Sequence, residues 1–228
     1  MSLNSAVSTV SAASVETLSD KAFRLIENMI ITLELSPGAR LTEAALMART
    51  GIGRTPVREA VLRLVTDRLI EVIPRRGLVV TQVVPDEVLQ AFDLRFILEP
   101  LMSSECALNA DDGQRRRLIV HAENMIAAAK QDDPIGYLDA DNLFDIEMAN
   151  AAGNIYLQRV MNPLRSAVRR GWYFYKGALE LVVTAEAHAE IARRIWDRDH
   201  DGAAEASRRL VGMARASVIK NGLGGSCD

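Results

Sequence analysis

A chain of 228 residues is long enough for two compact domains, and its 49% hydrophobic and 25% charged residues are the composition of a folded protein with real cores, which excludes wholesale disorder. No apolar run approaches the roughly 18 to 20 residues needed to span a bilayer, and the first fourteen residues carry no Lys or Arg to open a signal peptide. With only Cys106 and Cys227, neither a disulfide framework nor a cysteine zinc site is expected, and reduced thiols point to the cytoplasm. The net charge of −3 hides an asymmetry. From Arg40 to Arg76 eight arginines stand against four acids, whereas after Pro85 there are 17 basic and 22 acidic side chains. A basic front on an acidic back is expected when only one domain meets phosphate.

Residues 1–17 are rich in Ser, Ala, Thr and Val with one charge, Glu16, and no sustained period, which predicts a loose tail. From Leu18 the apolar positions Leu18, Ala22, Leu25, Met29 and Leu33 recur at helical spacing until Pro37-Gly38, predicting a first helix that long. Glu43 to Thr50 predicts a short second helix stopped by Gly51. Thr55-Pro56 predicts the start of a third, with Thr55 as N-cap and Pro56 in the first turn. On that helix Val57, Ala60, Val61 and Leu64 share one face, and Arg58, Glu59, Leu62 and Thr66 point elsewhere. Residues 69–73 and 78–82 are β-prone and flank Pro74-Arg75-Arg76-Gly77, which predicts a hairpin with a basic tip. The expected fold of residues 18–84 is a winged helix-turn-helix.

The stretches Pro37-Gly38-Ala39-Arg40-Leu41-Thr42-Glu43, Gly53-Arg54-Thr55-Pro56-Val57-Arg58-Glu59-Ala60 and Arg75-Arg76-Gly77 resemble the DNA-binding domain of GntR-type regulators. The resemblance implies that the third helix enters the major groove and the hairpin lies along the neighbouring groove. It implies Arg54 and Arg58 at base edges. Thr55, Arg75 and Arg76 go to the backbone or minor groove, Gly77 permits close approach, and Arg40 belongs to the same basic face. Gly53 stands where relatives usually carry Ser or Thr. The competing reading of these arginines is an ordinary solvated face.

Helical spacing dominates residues 85–221. Helices are predicted near 86–109, 113–131, 134–151, 155–175, 178–199 and 202–220, with Asp112, Asp133 and Asp201 as caps, Gly153 and Gly222 as stops, and 222–228 as a second tail. The protein is thus read as mainly α, a winged helix-turn-helix followed by an all-α effector and dimerisation bundle. In the first of these helices Arg95 and Glu99 interrupt the stripe Val88, Phe92, Met102, Cys106, and Pro100 is expected to bend it. Either the two charges pair, or Arg95 projects into a cavity and binds a ligand carboxylate. His188 interrupts another stripe, Leu181, Ala185, Ala192, Ile195, as a core histidine or a ligand, while His121 and His200 are expected at the surface.

The run Ala140-Asp141-Asn142-Leu143-Phe144-Asp145, with Ala149, Gly153-Asn154, the Arg95-to-Glu99 spacing and His188, resembles the effector domain (FCD) of the FadR-like subgroup. That resemblance implies effector contacts from Arg95, Glu99 and Asn154. It also implies one divalent metal ion of the Zn, Ni or Mn type held by Asp141, Asp145 and His188, although Asp145 and Leu210 stand where histidines are usual. The function expected is a homodimeric regulator, a repressor, that binds a palindromic double-stranded operator and responds to a small organic acid. Two other readings stand beside it, a regulator that has lost effector or metal sensing and a metal-dependent enzyme. The enzyme lacks support: there is no His-Glu-x-x-His, nucleophile motif or phosphate-binding glycine loop.

Overall fold

The computed structural model describes residues 17–175 and 181–220. Of the expected tail at 1–17 only Thr17 is among them, as the N-cap of the first helix, and the expected tail at 222–228, the stop at Gly222, Cys227 and the start of the helix expected at 178–199 lie outside them. Three helices, α1 (Leu18–Ile31), α2 (Glu43–Thr50) and α3 (Arg54–Thr66), surround a small sheet of β1 (Arg40–Leu41), β2 (Ile70–Ile73) and β3 (Gly77–Val80). Strand order is β1-β3-β2, with β3 antiparallel to both neighbours, Ile73 opposite Gly77 and Arg40 opposite Val79. Ile26 and Ile30 of α1, Leu46 of α2, Val57 and Leu64 of α3, Ile70 and Val80 close one core.

Local chemistry sets these boundaries. Thr17 and Asp20 form a reciprocal capping box at α1, and the Thr42 hydroxyl accepts from the Ala45 amide at α2. Gly51 ends α2 in the left-handed conformation that glycine adopts without a Cβ penalty. Helix α1 stops six residues before Pro37. The chain turns at Leu33 (φ 61°), and Leu35 still reaches the core from the loop. The N-cap of α3 is Gly53, with no side-chain cap, so Thr55 lies inside the first turn instead of capping it.

Six helices follow: α4 (Pro85–Asn109), α5 (Asp112–Lys130), α6 (Pro134–Ala152), α7 (Ile155–Phe174), α8 (Leu181–Trp196) and α9 (His200–Val218). The caps are Asp111, Asp133, Asn154 and Asp199, so the expected caps at 112 and 201 are displaced by one and two residues. Helix α4 continues through Pro100. The main helical core joins Met102 and Cys106 (α4), Leu118 and Met125 (α5), Phe144 and Met148 (α6), Met161 (α7), Ile191 and Ile195 (α8) and Leu210 (α9). A smaller cluster of Phe92, Val88, Val168 and Val211 ties α4 to α7 and α9. There Gly171 is required by close approach, because a Cβ would stand 2.6 Å from Val88 Cγ1. Arg115 is buried where helix ends meet. It donates to the carbonyls of Ala107 and Ala110 at the end of α4 and of Ile195 on α8, satisfying groups a helix end leaves open.

Helix α7 also meets the winged helix. The Ser166 hydroxyl donates to buried Glu27 of α1 at 2.5 Å, and Arg170 donates to the Thr81 hydroxyl (2.8 Å) and carbonyl (2.5 Å) just beyond β3. From α6, Asp139 accepts from Asn28 at 3.0 Å.

Candidate nucleic-acid interface and helical-domain cavity

The eight arginines between positions 40 and 76 divide into two groups. Arg49 pairs with Glu34 at 3.2 Å, Arg63 with Asp20 at 2.7 Å and Arg68 with Glu87 at 3.2 Å. Arg40, Arg54, Arg58, Arg75 and Arg76 are exposed and have no acid partner among the described residues. Burying Val57, Ala60, Val61 and Leu64 against the core turns Arg54, Thr55 and Arg58 outward at the start of α3. With no side chain capping that helix end, its first amides and the positive end of its dipole are open to an anion. At the hairpin tip Arg75 (φ 65°) and Gly77 (φ 77°) are both left-handed, which keeps Arg75 and Arg76 exposed beside a residue without a side chain. This surface can meet a polyanion.

In the helical domain a cavity of about 60 Å³ lies among α4, α6, α7, α8 and α9. Phe92, Tyr137, Leu138, Val168, Trp172, Leu210 and Val211 make its apolar wall, and Arg95, Asp141, Arg169, Thr184 and His188 bring its polar groups. Tyr137 and Trp172 stack with centroids 6.0 Å apart, and His188 sits edge-on to Phe144 at 5.4 Å.

Behind the polar side is a buried charge network. Glu99 accepts from Arg95 Nε at 2.7 Å and from Arg165 Nη2 at 2.5 Å. Burial pushes the Glu99 carboxyl up, but Arg165 and Arg95 outweigh it and hold it down at about 2. Both sequence readings of Arg95 therefore meet in one side chain: Nε is fixed by Glu99, while the guanidinium lines the cavity and its terminal nitrogens have no hydrogen bond among the described residues. Asn154 is elsewhere, as the cap of α7, accepting from the Leu157 amide and donating to Glu105.

Asp141, Asp145 and His188 do converge, but they do not fit a metal ion. Arg169 lies between the two carboxylates, with Nε 2.8 Å from Asp141 Oδ2 and Nη2 2.8 Å from Asp145 Oδ2. His188 Nδ1 faces the Thr184 carbonyl at 2.8 Å and Nε2 faces Asp141 Oδ1 at 3.2 Å. Both ring nitrogens point at acceptors, an arrangement that favours the doubly protonated ring over one with a lone pair to offer. Burial opposes that charge, but Asp141 outweighs it and raises the His188 pKa. Among the described residues no group of three or more His, Cys, Asp and Glu is arranged to hold a metal. Within the expected ligand set a guanidinium stands between the two acids. His200 is exposed as expected, whereas His121 is half-buried, and burial lowers its pKa.

The sequence reading missed Arg165, Arg169 and Arg170, all nearly fully buried. The first two repeat the four-residue spacing of Asp141 to Asp145 on the preceding helix, a spacing that by itself reads as a solvated helix face, and Arg170 carries no such signal.

Comparison with known proteins places the whole. The model of the bacterial regulatory proteins, gntR family, matches residues 18–80, and that of the FCD domain matches residues 90–212. The chain belongs to the GntR family of transcription regulators, in the subgroup with an FCD domain. It is 23% identical over 213 residues to the HTH-type transcriptional repressor GlaR of Escherichia coli K12, covering 90% of this chain and 96% of that one. To an HTH-type regulator from the TAR-I ttuE-ttuC' intergenic region of Agrobacterium vitis it is 28% identical over 127 residues, 54% of this chain and 74% of that protein. Escherichia coli McbR/YncC has the same fold, with a TM-score of 0.76 at 20% identity over 90% of this chain and 99% of that one. The protein is a DNA-binding transcription regulator with an effector-binding type of helical domain, and the family is one of regulators, not enzymes. No helix among the described residues is long and apolar enough to cross a membrane.

Proposed function

We propose that this regulator is a homodimeric repressor that grips a palindromic operator through α3 and its wing and releases it when a small carboxylate enters the helical-domain cavity. Arg54 and Arg58 read base edges in the major groove, and Thr55, Arg40 and the open end of α3 hold phosphate. Arg75 and Arg76 lie in or along the adjacent groove, where Gly77 allows a close approach. The observation that carries this reading is the division of the arginines: those outside the contact set are paired with acids, and those in it are exposed and have no acid partner among the described residues.

The effector reading rests on Arg95. A guanidinium held by Glu99 through Nε, with no hydrogen bond on its two terminal nitrogens among the described residues, can bind a carboxylate in a two-pronged contact. A cavity of about 60 Å³ suits a short acid. Glu99 orients Arg95 and does not itself line the cavity. Dimerisation is supported by Leu94, Ile97, Leu101 and Leu108, exposed along one face of α4 at intervals of three, four and seven. A second copy is the fitting partner, because two recognition helices must match two half-sites. Repression follows the activity for which the GlaR relative is named.

The test combines thermal shift with operator binding. In the presence of EDTA, a short carboxylate from a panel should raise the melting temperature of the wild type and weaken its hold on DNA from beside its own gene. Arg95→Met should bind the DNA but lose the thermal response. Sedimentation should give a dimer that Ile97→Glu breaks. A carboxylate shift that survives in Arg95→Met would contradict the site, and a wild type that binds its own upstream DNA no better than unrelated DNA would contradict the operator reading.

A further inference from the structure

Asp141 and Asp145 stand one helical turn apart on α6, Asp145 buried and Asp141 mostly so, a pairing that repels unless a cation lies between them. Each of their four carboxylate oxygens faces a basic side chain of this same protein. Asp141 Oδ1 meets His188 Nε2 at 3.2 Å and Oδ2 meets Arg169 Nε at 2.8 Å. Asp145 Oδ1 meets Arg165 Nη2 at 3.3 Å and Oδ2 meets Arg169 Nη2 at 2.8 Å. Together with Glu99 and Arg95, three carboxylates face three guanidinium groups and the His188 ring.

We propose that Arg169 is the built-in cation of this cluster, so that the cavity works without a metal ion, and that removing its guanidinium uncovers a divalent-metal site made by Asp141, Asp145 and His188. A metal entering the wild type would have to displace Arg169 from both aspartates. The guanidinium, already almost wholly buried, would then be stranded without a partner next to a second positive charge. Take the guanidinium away and the situation inverts. Asp141 Oδ2 and Asp145 Oδ2 then face one vacated volume, with the His188 ring within reach of Asp141. Two carboxylate oxygens and an imidazole around a space that water can enter are a donor set for zinc or manganese. The inference rests on the acid cluster alone and stands whether or not a carboxylate is the effector.

The experiment loads wild type, Arg169→Ala and Arg169→Gln with Zn²⁺ or Mn²⁺, removes free metal on a desalting column, and measures bound metal by elemental analysis and melting temperature with and without EDTA. Wild type should retain only a trace, and its melting temperature should ignore both metal and chelator. Arg169→Ala should retain one ion per chain and melt higher with Zn²⁺, reversed by EDTA and lost when His188→Gln is added. Arg169→Gln keeps most of the side-chain volume without the charge and should also gain metal. Variants that fold only when Zn²⁺ is supplied would equally support the proposal. Stoichiometric metal on the wild type that Asp141→Asn removes would overturn it, as would folded Arg169→Ala and Arg169→Gln retaining no more metal than the wild type. If neither variant folds under any condition, the wild-type measurement decides on the same terms.

Discussion

Arg169 and Arg170 are neighbours on α7 and hold different parts of the molecule. Arg169 bridges Asp141 and Asp145 beside the cavity, whereas Arg170 donates through both terminal nitrogens to Thr81 at the base of the wing. The same alternation occurs one turn earlier, where Arg165 joins the acid network and Ser166 reaches Glu27 of α1. One helix therefore touches the helical-domain cavity on one side and the winged helix on the other, so a shift of α7 is felt at both.

Cutting the second link should separate sensing from response. Arg170→Met removes the clamp on Thr81 without touching the cavity wall. We expect its carboxylate affinity to remain within about twofold of wild type, while the coupling between effector and operator, about 5 to 150-fold in typical allosteric proteins, falls toward none. Operator titrations with and without effector measure it. Undiminished coupling would show that α7 does not carry the signal through Arg170.

The wing should contribute charge more than sequence preference. Arg75→Ala and Arg76→Ala should each weaken binding to all DNA about equally and reduce the slope of log affinity against log salt by about 1. Arg49→Ala and Arg68→Ala, whose guanidinium groups are engaged by Glu34 and Glu87, should leave that slope nearly unchanged. A salt series by fluorescence anisotropy separates the two groups.

Glu99 ties acid sensitivity to the buried network. Its folded pKa is depressed from 4.5 to about 2, so its stabilising contribution is full above the unfolded value and is lost as pH falls through that window. Glu99→Gln should lose on the order of 3 kcal/mol at neutral pH, because Arg95 and Arg165 would be left buried without their carboxylate. It should also show a flatter decline below pH 4.5 than wild type. Denaturant titrations at pH 7 and melting curves across the acid range check both.

Much of this was legible in the sequence because it depends on local periodicity and punctuation. The buried face of α3, the stop at Gly51 and the basic hairpin tip are all fixed within a few residues. Strand β1 was invisible because two residues carry no alternation, and Arg40–Leu41 becomes a strand only by pairing with β3 nearly forty residues later. The end of α1 was overrun because Leu33 and Leu35 continue the apolar pattern after the backbone has turned. At the cavity, Arg95 and His188 were readable as polar groups interrupting apolar stripes, and the convergence of Asp141 with His188 was implied by the family resemblance alone. Arg169 was not, since an arginine on a helix reads as solvated until the opposing carboxylates are in place. The metal expectation was formed without that guanidinium between the two acids.

The central claim is that the start of α3 reads DNA, and the most direct measurement is operator affinity of Arg54→Ala, Arg58→Ala and the double variant against wild type, on cognate and scrambled duplexes. The account predicts that each single change costs about 1 to 3 kcal/mol on the cognate duplex and less on the scrambled one, with folding and carboxylate response intact. A double variant that binds the operator as tightly as wild type, with the same salt slope, would contradict it.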